Sequence, residues 1–251
     1  LVVDDLLTTL EHGGVKVIGY ADDIAILARG IVEEEGDMTR EESLANTLNE
    51  ISSRIERSLR TVKNWAVARG LGVNADKTEL VLFTRRYKIP DFNLPKLDGK
   101  TLALKNEEKY LGVILDSKLY WGPNVEARRK RALIAWYTCT KCFSRKWGLK
   151  PYIVKWIYTA VVRPILCYGA LVWWHAARLR SRRGRLNTVQ RKACLGITGA
   201  MRSTPQDALE VILNISPFRL HLRNLASKSA IRLTVSGHFI SGSCIQHRSI
   251  V

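Results

Sequence analysis

The chain has 251 residues, 46% of them apolar, with 40 Lys and Arg against 23 Asp and Glu. That is enough apolar material for one large or two small globular domains, and it excludes a disordered tail. The net charge of +17 is unevenly divided: residues 1–125 hold 17 basic and 20 acidic side chains, residues 126–251 hold 23 basic and 3 acidic. A surplus confined to one half points to a phosphate-rich partner for that half, and to two domains with different tasks.

The chain opens without Met inside an amphipathic pattern (Leu1, Val2, Val3, Leu6, Leu7, Leu10) that Gly13-Gly14 stop like a helix C-cap, so it reads as a fragment. Residues 15–20 and 24–27 are short apolar runs separated only by Ala21-Asp22-Asp23, and their length and β-branched content predict a hairpin. After an acidic loop at 33–37, Thr39 opens a helix, with Glu42 completing a capping box. Its stripe of Leu44, Leu48, Ile51, Ile55, Leu59, Val62 and Trp65 repeats at steps of three and four, and Gly70 ends it. Residues 71–74, 78–83, 102–104 and 110–115 read as short strands broken by Pro90, Pro95 and Asp98-Gly99. Together these predict one α+β domain.

From Val125 the texture changes to basic helical segments at about 126–147, 151–162, 165–177, 185–195, 205–213 and 217–234, with Pro151 in the first-turn position. The stretch 153–174 is long enough to cross a bilayer, but it contains Lys155, Arg163 and Pro164, and no membrane span is expected. Residues 236–251, rich in Ser and Gly, read as a linker or degenerate tail. Five cysteines, an odd number, argue against a disulfide framework and for a reducing compartment. With no secretory signal visible, a nuclear and cytoplasmic protein is expected.

The sharpest feature is Tyr20-Ala21-Asp22-Asp23. Adjacent carboxylates between apolar strands are costly unless something positive compensates them. Mg²⁺ is a natural compensator, since it prefers carboxylate oxygens together with substrate phosphates. Taken alone, the same dipeptide is also an ordinary polar hairpin turn.

Tyr20-Ala21-Asp22-Asp23 resembles the catalytic Tyr-x-Asp-Asp hairpin of reverse transcriptases, and later blocks resemble those of insect non-LTR (LINE-type) retrotransposon polymerases in the same order. These are Gly72-Val73-Asn74-Ala75-Asp76-Lys77-Thr78 and Lys109-Tyr110-Leu111-Gly112-Val113-Ile114-Leu115-Asp116 with Leu119 and Trp121. Farther on come Arg163-Pro164-Ile165-Leu166-Cys167-Tyr168-Gly169, then Gln190-Arg191, then the run from Ile197 to Pro205. The resemblance implies an α+β fold: a partial polymerase palm at 1–121, an antiparallel sheet with packed helices, followed by a basic, mainly helical thumb or connection region at 126–235. It implies two-metal nucleotidyl transfer from a dNTP to a primer 3′-hydroxyl on an RNA template, with Mg²⁺ or Mn²⁺. Asp22 would be the stronger metal ligand and Asp23 the weaker. Lys77 would lie near the triphosphate, and Tyr110, Leu111 and Gly112 would form the primer grip. A further metal-binding aspartate is expected upstream of the first helix, so the isolated chain is expected to be inactive. The full-length polyprotein would carry an endonuclease domain, with RNase H as a second candidate.

In the basic half, Arg128, Arg129, Lys130 and Arg131, and Arg178, Arg180, Arg182, Arg183 and Arg185, are the densest clusters and the expected contacts to nucleic-acid phosphates. Trp136, Trp147, Trp156, Trp173 and Trp174 lie in apolar helical patterns and are expected in the core. Cys139-Thr140-Lys141-Cys142 has no second ligand pair and reads as plain thiols, and none of the five histidines shows ligand spacing. The rival reading is a non-catalytic nucleic-acid-binding remnant or domesticated module that keeps the basic helices.

Overall fold

The computed structural model describes residues 4–31, 39–141 and 148–237. The chain divides into two compact units, Leu1–Glu108 and Lys109–Val251. The division falls earlier than the 121–126 boundary expected from composition. The reason is packing: Val113, Leu115 and Trp121 pack into the apolar cluster of the second unit.

In the first unit, α1 (Asp4–His12) ends where Gly14 takes φ +77°, with the Gly13 and Gly14 N–H groups donating to Leu10 and Glu11 carbonyls at 2.9 and 3.1 Å. Strands β1 (Lys16–Tyr20) and β2 (Asp23–Leu27) pair antiparallel with Tyr20 opposite Asp23, forming the expected hairpin. Helix α2 (Arg40–Ala68) starts on the capping box of Thr39 and Glu42. It ends in a Schellman motif, the Leu71 N–H reaching the Ala66 carbonyl at 2.8 Å and the Gly70 N–H reaching Val67 at 3.1 Å. None of its seven stripe residues is exposed, which the period of 3.6 requires of a helix laid on a core. One cluster unites Leu6, Leu10, Val15, Val17 and Val62; a second unites Leu59, Leu97 and Leu102, so α2 serves both.

The strands after α2 fall short of expectation. Residues 71–74 form no strand. Strand β3 (Leu80–Val81) pairs parallel with β6 (Leu104–Lys105), and β4 (Lys96–Leu97) pairs antiparallel with β5 (Lys100–Thr101) around Asp98-Gly99, both at positive φ. The described strands therefore make two-stranded ladders, one of them parallel, where a continuous antiparallel sheet was expected. Pro90 and Pro95 lack the N–H that would extend a ladder through this stretch. The mixed helix and sheet content is that of an α+β protein.

Strand β7 (Glu107–Tyr110), whose last two residues begin the second unit, pairs with β8 (Val113–Asp116), the two joined by Leu111-Gly112 at φ +45° and +81°. The apolar run 110–115 reads as a strand, while its Tyr110-Leu111-Gly112 block resembles one that forms a primer-side hairpin; the pair of left-handed residues makes it a hairpin. Asp116 then organises the next loop, its carboxylate accepting from the Tyr120 and Trp121 N–H groups at 2.8 and 2.7 Å. Helix α3 (Gly122–Lys141) follows, four residues earlier than expected, and its expected last turn, 142–147, lies outside the described residues.

Helix α4 (Pro151–Ile157) runs into a wide π turn (Tyr158–Val162), where the Arg163 N–H reaches back to the Tyr158 carbonyl, and then into α5 (Arg163–Cys167). Pro164 has no N–H to give and its ring crowds the preceding turn, which the widened turn relieves. Gly169, at φ +66°, breaks the expected 165–177 helix into α5, α6 (Ala170–Trp173) and a 3₁₀ turn (Trp174–Arg178). Helices α7 (Arg180–Thr198), α8 (Gln206–Ile212) and α9 (Phe218–Val235) complete the unit. Its core includes Val125, Trp136, Tyr158, Trp173, Leu186 and Phe218.

A hydrogen-bonded network of polar and charged side chains is buried in this core. Gln190 accepts from the Tyr158 hydroxyl at 2.9 Å and donates to Glu210 Oε1 at 2.7 Å and to the Ser216 carbonyl at 3.2 Å. Arg163 donates to that same carbonyl at 2.9 Å, and Gln206 donates to Glu210 at 2.6 Å. The Arg163-Pro164 and Gln190-Arg191 blocks are thus structural: Arg191 itself ties down the loop before α8 through the Arg202 carbonyl at 2.6 Å.

Candidate active site and nucleic-acid interface

Asp22 and Asp23 stand at the tip of the β1–β2 hairpin, and both are exposed. The desolvation cost expected of carboxylates between apolar strands is therefore absent. Ala21 holds φ +53°, a left-handed position usually given to glycine, at a cost of about 1 kcal/mol or more. Strain at a turn that presents two acids fits a site under geometric demand. Tyr20 beside it is 63% exposed. Among the described residues no group of three or more His, Cys, Asp or Glu converges, so the donor set here is two carboxylates. Two hard oxygen donors match Mg²⁺, which commonly takes one or two carboxylates and completes its shell with water and substrate phosphates.

Lys77 ends a 3₁₀ turn (Ala75–Lys77) in the first unit, with its side chain exposed. The turn is well held. Asn74 accepts from the Asp76 N–H at 2.8 Å, Thr78 Oγ1 donates to the Asn74 carbonyl at 3.0 Å, and Lys100 bonds the Asp76 carboxylate, holding it below its usual titration range. The block of Asn, Asp and Thr around Lys77 is accordingly a platform that fixes the lysine's backbone.

The Leu111-Gly112 turn meets the Arg163–Gly169 block. Tyr168 donates its hydroxyl to the Leu111 carbonyl at 3.0 Å, and Arg128 donates to the Gly112 carbonyl while stacking on the Tyr168 ring at 4.6 Å. A methyl group on Gly112 would lie 3.2 Å from that ring, and one on Gly169 would lie 2.8 Å from Val113. Both glycines are thus required by contact as well as by φ. Tyr110 is half-buried and Leu111 38% exposed, so the turn presents backbone and one apolar side chain outward.

The expected phosphate-binding cations separate into kinds. Lys130, Arg131, Arg178, Arg180 and Arg185 are exposed, and Arg182 and Arg183 are half-buried. Arg129 is bound to Glu126 by bonds of 2.7 and 3.0 Å, beside an open 310 Å³ depression that Arg185 and Thr188 also line. Arg128, at 5% exposure, is buried where an exposed cation was expected, and it donates to the Gly112 carbonyl. The first turns of α7 carry Arg180, Arg182, Arg183 and Arg185 with no acidic residue in the first turn. Cations there oppose the helix dipole, an arrangement that an external anion relieves.

The tryptophans divide too. Trp136 and Trp173 are in the core as expected, but Trp156 is 64% exposed, next to Tyr152 at 66% one turn earlier on α4. That exposed aromatic pair, flanking Lys155, was missed by the sequence reading; the signal was the spacing of four, which puts both rings on one helix face. Cys142 and Trp147 lie outside the described residues, and Cys139, Cys167 and Cys194 are free thiols.

The family described as reverse transcriptase (RNA-dependent DNA polymerase) matches residues 1–115, a span that contains both the Asp22-Asp23 hairpin and the Lys77 platform. Residues 1–115 are thus similar to a reverse transcriptase domain. The chain is 27% identical over 214 residues to a "probable RNA-directed DNA polymerase from transposon BS" of Drosophila melanogaster, covering 85% of this chain and 22% of that protein. It is 27% identical over 232 residues to the RNA-directed DNA polymerase of the mobile element jockey of Drosophila funebris, covering 90% of this chain and 23% of that protein. It is 23% identical over 242 residues to a Pol polyprotein of a type-1 retrotransposable element R1 of Nasonia vitripennis, covering 94% and 55%. The chain thus spans about a fifth to a half of the length of these relatives. Their matches extend well beyond residue 115, so the basic helical unit is similar to these relatives as well. No solved structure matches the chain.

Proposed function

We propose that this chain is part of an RNA-directed DNA polymerase of a non-LTR retrotransposon, with the first unit supplying part of the palm and the second the thumb. The observation that carries the reading is the strained Ala21 turn presenting Asp22 and Asp23 to solvent inside a span similar to a reverse transcriptase domain. Asp22 and Asp23 would hold Mg²⁺ or Mn²⁺, which when bound assists attack by the primer 3′-hydroxyl and offsets charge on the leaving pyrophosphate. Two exposed carboxylates on one rigid turn can hold such an ion without needing its presence to fold, since neither pays a desolvation cost in its absence. Lys77 would neutralise or protonate the pyrophosphate, a task suited to an exposed ammonium on a fixed turn. Tyr110, Leu111 and Gly112 would support the primer end. The exposed cations Lys130, Arg131, Arg178, Arg180 and Arg185 would follow the RNA template and DNA primer by their phosphates, without reading sequence.

The test is primer extension on an RNA template with dNTPs and Mg²⁺, using the full-length polymerase that carries this chain. Asp22→Asn is expected to reduce extension by about a hundredfold or more, because it removes a charge from where charge develops in the transition state. Lys77→Ala is expected to slow nucleotide addition with little change in hybrid affinity. Extension unchanged in Asp22→Asn would overturn the assignment. Hybrid binding with no extension by the unsubstituted protein would favour a non-catalytic binding protein instead.

A further inference from the structure

The second unit contains an open cleft of about 470 Å³ lined by Lys109, Gly112, Arg128, Arg131, Ile165 and Tyr168. Three of the six are cations and none is acidic. Among the described residues Arg128 makes no ion pair, and its buried Nε has no hydrogen-bond partner. Burial and the neighbouring Arg131 charge both push its guanidinium toward the neutral form, although guanidinium stays charged at any ordinary pH. A buried cation held next to like charge, with an open approach, is placed to take a counter-charge from outside the fold. The same guanidinium is bonded to the Gly112 carbonyl and stacked on Tyr168, whose hydroxyl bonds the Leu111 carbonyl. The two ends of one short turn are therefore gripped by two side chains that also touch each other.

We propose that Arg128 and Tyr168 are positioning residues that latch the Leu111-Gly112 turn, and that a nucleic-acid phosphate entering between Lys109 and Arg131 tightens the latch by supplying the counter-charge of Arg128. The proposal deepens the polymerase reading and rests on it. Arg128 does not track the duplex as a surface cation does; it converts the arrival of a phosphate into a fixed turn. Tyr168 sets where that turn sits, and the positive φ of Leu111 and Gly112 makes the turn dependent on such support.

The experiment is hydrogen exchange on the full chain, free and bound to a short blunt RNA/DNA hybrid, followed in the 107–116 hairpin. In the unsubstituted chain the hybrid is expected to slow exchange there by about tenfold. Arg128→Met keeps the apolar stem and removes the charge; hybrid binding is expected to persist through the other cations while the added protection of the hairpin disappears. Tyr168→Phe keeps the stack and removes one hydrogen bond; exchange in the free chain is expected to rise a fewfold, with the slowing by hybrid retained. A merely structural Arg128 would give the opposite pattern, faster exchange in the free chain and undiminished slowing on binding, and would overturn the proposal. If the unsubstituted chain binds the hybrid and the hairpin exchange does not change, the latch fails while the polymerase reading stands. If the chain does not bind the hybrid at all, the polymerase reading fails and the latch with it.

Discussion

At the scale of single residues, the fold leaves least room where a backbone hydrogen has been kept in place of a side chain. Gly196 sits inside α7 with an unremarkable helical backbone, yet a methyl group there would come within 2.6 Å of Trp136 Cζ2. Trp136 is 3% exposed and stacks edge-on against Tyr158 with ring centroids 6.4 Å apart, so it has nowhere to retreat. Gly196→Ala gains helix propensity of about 1 kcal/mol on the exposed-helix scale but overpacks this contact by about 1–3 kcal/mol, and the balance favours loss. Chemical denaturation should show a lower midpoint with an unchanged slope; a raised midpoint would mean that the α3–α7 contact is looser than its geometry. Nothing in the sequence marked Gly196 out from any other helical glycine, because its constraint comes from a tryptophan sixty positions away.

At the scale of elements, the locally capped helix α2 and the β1–β2 hairpin were legible, and the strands after α2 were not. Helix α2 was readable end to end because each of its signals is local: the Thr39–Glu42 box, the three-and-four stripe and the Gly70 stop all act within a few residues. The box is intact, with the Glu42 carboxylate accepting from the Thr39 N–H at 3.0 Å and held below its usual range by that bond. Thr39→Ala removes the side-chain cap and should cost about 1 kcal/mol, read as a fall in the midpoint of thermal unfolding monitored by circular dichroism. No fall would indicate that α2 is held by its two apolar clusters alone. Residues 71–74 and 78–83 were over-read as strands, the first forming none and the second only Leu80–Val81, since apolar runs of four to six residues satisfy the same pattern whether or not a partner strand comes alongside.

At the scale of the whole molecule, the governing feature is the +20 surplus of residues 126–251, and the fold distributes it selectively. Glu126 takes up Arg129 and lies 3.8 Å from Arg185, while Arg163 and Arg128 are drawn inside. Exposed cations remain on α3, on α7 and at the turn before α7. Binding of the full chain to an RNA/DNA hybrid should weaken steeply with salt, by about 0.9 in log-log slope per phosphate neutralised on B-form DNA and comparably on a hybrid. Replacing Lys130, Arg131, Arg178 and Arg180 together by Gln should make the slope shallower by up to about four units and weaken unrelated sequences equally. Arg128→Met should change it by no more than about one. A slope indifferent to the four surface changes would make the charge division incidental to binding.

What the sequence determined alone was whatever short-range chemistry decides: the capped helices, the hairpin around Asp22 and Asp23, the boundary in charge, and the ordered blocks that resemble those of a reverse transcriptase. Which arginine faces solvent was decided only by the tertiary structure. Arg128 and Arg131 are indistinguishable in a run of four cations, and the difference between them is that one helix face packs on a hairpin turn. The same holds for Tyr168, whose partner carbonyl lies 57 residues earlier, and for Gln190, whose partners come from Tyr158, Glu210 and Ser216. Burial and hydrogen-bond satisfaction are properties of surfaces brought together from distant parts of the chain, and no local pattern of residues records which surfaces those will be.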